Sequence, residues 1–248
     1  MIDANKREER IPVILRNTKV ETGATGSHEF IYDGGVRDQN GRYLNVEPPP
    51  DGEYDLYLVA SDEVGNRIIM STTLFIEAGG RPEAEIAGNS IDWDGEMNRN
   101  VVVPVGESLC FTTVVVNIGT APIRTSGPWP GQSYDFTQKY HDLAISSGRP
   151  SWDYEVGVMR FGINYDGAQT DFPFRWAIGR PEDLDLRMID GRPEYFLLPE
   201  HRGLVTGCIH FDAVPPPGTE RWWGGLVHQG VQIEANNIDP INVQVIPP

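Results

Sequence analysis

The chain has 248 residues, 39% of them hydrophobic and 10% aromatic, enough for one large or two medium domains. Its 36 acidic and 20 basic residues give a net charge of −16, so it lacks the basic footprint that nucleic-acid binding requires. Glycine (27) and proline (20) make up about a fifth of the chain, against a usual share of roughly 12%, which favours short strands and tight turns over long helices.

Residues 1–10 are polar and read as a lead-in. They are charged and lack the apolar core of a signal peptide, and no run of about 18 apolar residues follows anywhere, so no membrane insertion is expected. The first apolar run, IPVILR at Ile11–Arg16, predicts a strand, and HEFIY at His28–Tyr32 a second. Asn40-Gly41 is a strong hairpin signal, with Arg42–Val46 as the returning arm. Pro48-Pro49-Pro50 cannot lie within a central strand. Next, Tyr54, Leu56, Leu58 and Ala60 alternate with Asp55, Tyr57, Val59 and Ser61, the period-2 pattern of a strand. A turn at Asp62–Asn66 leads to a second strand over Ile68–Ile76.

The stretch Y-D-L-Y-L-V-A-S-D-E-V-G-N (Tyr54–Asn66) resembles the closing hairpin of bacterial immunoglobulin-like and fibronectin-like repeats. That resemblance implies a small sandwich over residues 11–83. It would have five or six strands where the type usually has seven, so it is a compact or truncated variant. The domain boundary is expected between Ala78 and Asn89, with the second domain running over residues 84–248.

The best-defined strand of the second domain lies within GESLCFTTVVVNIG (Gly106–Gly119). Leu109, Phe111, Thr113 and Val115 share one face, and Cys110, Thr112, Val114 and Val116 the other. The pattern V-P-V-G-E-S-L-C-F-T-T-V-V-V-N-I-G-T (Val103–Thr120) resembles the start of CARDB-like extracellular β-sandwich modules. This domain exceeds that family's usual length, and the surplus reads as long inserted loops, mainly 121–155. Thr120–Thr137 is too rich in Pro and Gly for regular structure. Further strands are expected at Glu155–Asn164, at Asp171–Ile178 (Phe172, Phe174 and Trp176 on one face), at Glu194–Leu198 and at Gly203–Phe211. Arg180–Arg192 reads as a connecting loop with a helical turn. Trp222–Ala235, interrupted by glycine, reads as a bulged strand or a strand pair, and Ile241–Ile246 closes the sheet.

Five sets of residues are candidates for chemistry. Cys110 and Cys208 sit on predicted strands; they are either an interstrand disulfide of the kind immunoglobulin folds carry across the core, or two inert outward-facing thiols. Asp92, Asp94 and Glu96 in D-W-D-G-E offer alternating oxygen ligands, so calcium is the one possible cofactor, although the full EF-hand pattern is absent. Trp129, Trp152, Trp222 and Trp223 lie in or beside loops and could stack on sugar rings or anchor those loops. The five histidines lack zinc spacing, and His210 and His228 could meet if their strands pair. Asp135, Asp142, Asp153 and Glu155 could supply an acid and a base, but nothing sets any pair apart. No GxSxG, HExxH, P-loop or GxGxxG occurs, so no catalytic residue is assigned.

The expected fold is all-β: two tandem Ig-like β-sandwich domains, the second enlarged by long loops. The expected role is a non-catalytic spacer and interaction unit of an extracellular or cell-surface protein, a fragment of a longer chain and monomeric in isolation. Its partners would be proteins or glycans. The alternative is a carbohydrate-binding module of a larger secreted enzyme.

Overall fold

The structure, a computed structural model, describes residues 52–61, 64–76, 80–93, 99–149, 155, 157–189 and 191–248. The expectations for residues 11–50 therefore lie outside the described residues. Contacts divide the chain into two units, Met1–Arg81 and Pro82–Pro248. Among the described residues the protein is all-β, with one short helix.

In the first unit, β1 (Gly52–Ser61) and β2 (Arg67–Ile76) form an antiparallel hairpin with unbroken register from Gly52↔Ile76 to Ser61↔Arg67. Gly65, at φ +90°, takes the left-handed conformation the turn requires. Ile68, Ile69 and Met70 of β2 are all more than half exposed.

The second unit is a sandwich. One five-stranded sheet orders β10 (Phe174–Ala177), β9 (Met159–Tyr165), β14 (Arg221–His228), β15 (Gln232–Ile246) and β5 (Asn100–Pro104). The other orders β3 (Ala84–Ile86), β6 (Ser108–Asn117), β13 (Arg202–His210) and β8 (Ser133–Asp135), with β4 (Asp92–Trp93) also pairing β6. A third sheet orders β11 (Asp185–Ile189), β12 (Arg192–Leu197) and β7 (Ile123–Thr125). Helix α1 spans Tyr140–Ser146.

Strand β6 shows how the sequence writes this architecture. Leu109, Phe111, Thr113, Val115 and Asn117 are buried, while the alternate positions Cys110, Val114 and Val116 are half-buried and Thr112 is exposed. Asn117 ends the strand by bonding in three directions. Its Nδ2 donates to the carbonyls of Ala121 and Leu197 (2.9 Å each), and its Oδ1 accepts from Gly119 N–H at 2.9 Å. A buried Asn is tolerable only when its amide is satisfied in this way.

Aromatic rings fill the space between the two large sheets. Phe111 meets Trp176 edge-on at 4.8 Å and Phe161 at 5.2 Å; Trp222 stacks on Phe174 at 6.1 Å and on Tyr165 at 5.0 Å; Phe211 and Phe136 join from the other side. Each fully buried ring contributes on the order of 2–3 kcal/mol of apolar transfer, with about 0.5–1.5 kcal/mol more per well-placed pair. Gly207 of β13 leaves room for the Trp176 indole, and Gly203 for Ile178.

Several expectations are corrected. The Pro/Gly-rich 120–137 stretch contains β7 and β8, because isolated three-residue pairings fit between prolines. The 180–192 loop holds a 3-10 turn at Pro181–Asp183 and then β11. Phe172 does not share a face with Phe174 and Trp176. It precedes β10 at φ +50° and packs on the other side of the sheet, against Gly162 and Gly225. Strand β9 is buried on both faces, so it does not alternate. Trp222–Ala235 takes one of its two expected forms, a strand pair turned at Gly230 (φ +71°). His210 and His228 lie in different sheets and do not pair.

Candidate functional site

Four sites on the second unit gather side chains capable of chemistry or recognition. The first is the three-stranded sheet. At its β7 end, Ile123, Thr125 and Leu197 are buried, and Thr125 Oγ1 accepts from Ile178 N–H at 2.9 Å, fixing the sheet to the sandwich. Directly paired residues share a face, so this side continues outward through Tyr195 and Leu186, then Pro193 and Met188. Leu186 is 55% and Met188 65% exposed. Trp129, half-buried, meets Tyr195 edge-on at 5.0 Å and extends the apolar strip. The opposite side of the sheet is charged. There Arg124 binds Glu194 through two hydrogen bonds, at 2.7 and 2.9 Å, and Arg187 lies 4.7 Å above the Phe196 ring. Arg124, Ile189, Arg192 and Glu194 line a surface pocket of about 450 Å³ there.

The second site surrounds Trp223. Alternation along β14 places Trp222 inward and Trp223 on the outer face. The half-buried Trp223 indole N–H donates to Asn236 Oδ1 at 2.9 Å, and the Arg221 guanidinium lies 5.7 Å from its ring centre. Arg221 in turn donates to Asn237 Oδ1 at 2.9 Å, and Asn237 adopts φ +58° in a bulged part of β15.

The third site is a buried ion cluster on the covered face of β9. The Arg160 side chain is 0% exposed. Its Nε donates to the carbonyls of Ser126 (3.0 Å) and Gly127 (3.2 Å), and its Nη2 to Ser126 Oγ (2.6 Å) and Glu155 Oε2 (3.3 Å). Ser126 Oγ also donates to Glu155. Nη1 has no hydrogen-bond acceptor among the described residues, and the Tyr140 ring lies 5.0 Å from the guanidinium. Arg175 faces the same ring at 5.4 Å. Burial lowers the Arg160 pKa, opposed by Tyr140 and Glu155. The cluster ties the 126–127 turn, residue 155 and α1 to the sheet.

The fourth site is the outward face of β6 and β13. Cys110 and Cys208 are bonded to each other, with Cα atoms 4.0 Å apart. They are register partners on neighbouring strands of one sheet, so the bridge is not the cross-core kind that an immunoglobulin fold implies. Both cysteines do point away from the core, and strand adjacency is what lets two outward cysteines meet. Next to them, His210 Nδ1 and Ser108 Oγ are 3.2 Å apart, and His210 Nε2 lies 3.2 Å from Asp212 Oδ1.

The structure scatters the other sequence candidates. Trp222 is 1% exposed and stacked within the core, so neither ring face is open to a ligand. Trp129 and Trp223 have different neighbours, Tyr195 and Arg221, and form no shared platform. Trp152 and Asp153 lie outside the described residues. So do Asp94 and Glu96, while Asp92 is exposed on β4 opposite Thr112. Among the described residues, no group of three or more His, Cys, Asp or Glu side chains is placed to hold a metal. Asp142 accepts from Lys139 N–H at the start of α1, Asp135 lies on β8, and Glu155 is held by Arg160. The sequence reading missed the exposed Leu186–Met188 pair and the Asn236–Asn237 bulge. A period-2 count over Asp185–Ile189 could have found the first.

Among the described residues, no helix is long and apolar enough to cross a membrane. The chain matches no protein-family model, and a search of curated proteins returned no match.

Proposed function

We propose that this chain is a non-catalytic β-sandwich interaction module of an extracellular or cell-surface protein, and that it binds a protein partner through the apolar side of the three-stranded sheet. The observation that carries this reading is the exposure of Leu186 and Met188 beside Pro193, Tyr195 and Trp129. A contiguous apolar strip on an otherwise strongly acidic chain is the kind of surface that marks a protein contact. The strip lies on hydrogen-bonded strands, which limits the ordering entropy lost on binding. On the resemblance of Tyr54–Asn66 and Val103–Thr120 to bacterial Ig-like and CARDB-like repeats, the module serves as one spacer unit in a longer surface chain.

A second reading, a carbohydrate-binding module, is supported by the Trp223, Arg221, Asn236 and Asn237 group. It combines one aromatic face with amide and guanidinium donors suited to sugar hydroxyls. One screen separates the two. The purified protein is tested against immobilised extracellular-matrix proteins and a glycan panel, alongside Leu186→Glu and Trp223→Ala, with calcium and with chelator. Saturable binding to a protein, lost in Leu186→Glu, is the expected result. Glycan binding lost in Trp223→Ala favours the second reading, and no saturable binding to either panel overturns both.

A further inference from the structure

We propose that a second copy of this chain adds to the open edge of β11, the two β11 strands pairing antiparallel about a two-fold axis at Leu186. Among the described residues β11 pairs on one side only, with β12. Pro193 of β12 has no N–H, so its pair with Met188 is not one that exchanges both ladder bonds. Bonded and non-bonded pairs alternate along antiparallel strands. Leu186 and Met188 therefore turn their backbone N–H and C=O groups away from β12, toward the open edge. Such a row of backbone groups is a template for another strand. The side chains along it are open too: Leu186 is 55%, Met188 65% and Ile189 46% exposed.

The edge is complementary to itself. Leu184, Leu186 and Met188 alternate with Asp185 and Arg187, and Leu184 has extended backbone (φ −112°, ψ 154°) that carries the strand geometry back past Asp185. A second copy centred on Leu186 sets Leu186 opposite its counterpart, Met188 opposite Leu184, and Asp185 opposite Arg187, the last two twice by symmetry. The Leu186 pair exchanges both backbone bonds. Pro181 holds the Leu184 N–H at 3.4 Å, so the outer pair joins Met188 N–H to the Leu184 carbonyl. Asp185 and Arg187 then fall on the closely spaced, non-hydrogen-bonded pairs, where side chains interact most. Charges on an edge strand usually hold copies apart; here acid meets base. Arg187 Nε donates to Asp185 of its own strand at 2.7 Å, and the guanidinium has four further N–H donors. Both side chains are 38% exposed. Centring the pair on Arg187 instead would set two guanidiniums directly opposite, which disfavours that register. The two-fold rotation keeps each side of the sheet on its own side. Three strands from each copy therefore form one sheet, and the apolar strips through Leu186, Met188, Pro193 and Tyr195 run together across the axis. One self-complementary patch is all that such a symmetric contact needs.

The test is sedimentation velocity of the full chain from about 10 to 500 µM, since a contact of one strand pair is small and associates weakly. The wild-type dimer fraction should rise across that range. Arg187→Asp sets acid against acid and Asp185→Arg base against base, so each alone should weaken dimerisation about tenfold or more. An equimolar mixture of the two variants restores both contacts and should dimerise about as tightly as wild type. Far-UV circular dichroism checks that each variant keeps its strands. Both side chains lie on the side of the sheet opposite Leu186 and Met188, so the apolar strip is untouched and failure here leaves the partner-binding reading standing. A wild-type chain that stays monomeric to the top of the range overturns the proposal. So does a dimer that both charge reversals leave undiminished, or a mixture that dimerises no more tightly than its components.

Discussion

Gly207→Ala should be among the most damaging single-methyl additions in the protein. Gly207 lies on β13, register-paired with Phe111, and a Cβ there would stand 2.6 Å from both Cζ2 and Nε1 of Trp176 and closer still to Cε2. The indole cannot move aside easily. It is 0% exposed, packed edge-on against Phe111 at 4.8 Å and Tyr134 at 5.0 Å, and its N–H donates to the Gln132 carbonyl at 2.9 Å. Overpacking of a rigid core costs about 1–3 kcal/mol, and losing the indole hydrogen bond about 1 kcal/mol more. The expected destabilisation is therefore about 2–4 kcal/mol, measured by urea unfolding followed by tryptophan fluorescence. Leu204→Ala, at an exposed site on the same strand, should stay within about 0.5 kcal/mol of wild type. Of the atoms that the new methyl would strike, Cζ2 lies beyond the span of a phenylalanine ring, and the smaller ring has room to shift away from the others. Trp176→Phe should therefore cost less in the Gly207→Ala background than alone, with a coupling of about 1 kcal/mol or more. A neutral Gly207→Ala, or strict additivity in the double mutant, would refute the packing described around Trp176.

Other perturbations separate structural from surface residues. Trp222→Ala should cost about 3–5 kcal/mol, as for a buried aromatic, while Trp223→Ala should cost far less, since its ring is only half-buried; parallel urea curves decide this. Arg160→Ala strands Glu155 and the 126–127 carbonyls, for an expected loss of about 3–5 kcal/mol; Arg160→Met in a Glu155→Gln background should recover much of it. Burial raises the Tyr134 pKa, so the folded chain keeps a proton that the unfolded chain releases above about pH 10. Its contribution is complete below that pH and is lost as pH rises further. Phenolate absorbance should therefore show Tyr134 ionising only together with alkaline unfolding.

The all-β class was legible because short alternating runs, turn residues and the Gly/Pro content agree with one another. In β6 the outcome could be read residue by residue: Leu109, Phe111, Thr113 and Val115 went inward as their spacing requires. Alternation gives a face but not a neighbour, and most of what escaped the sequence follows from that. It placed both cysteines outward yet could not tell that β13 lies beside β6, with more than 80 residues between them. It could not say which of Trp222 and Trp223 faces the core, because that depends on register with β9. Strand β9 hid its second covered face, since Arg160, Gly162 and Asn164 read as solvent positions until Tyr140 and Phe172 are laid over them. The candidate interaction surface was obscured in a similar way. Arg180–Arg192 is charged enough to read as a loop, and only its pairing with β12 sets Leu186 and Met188 on one face.

The most direct test of the interaction-module reading is calorimetric titration of the strongest binder from the matrix-protein panel, at several temperatures. Wild type and Leu186→Glu/Met188→Glu are compared. Docking on the apolar strip predicts a clearly negative heat-capacity change for wild type and loss of binding in the double variant. Undiminished binding by that variant, with a heat-capacity change near zero, would contradict it.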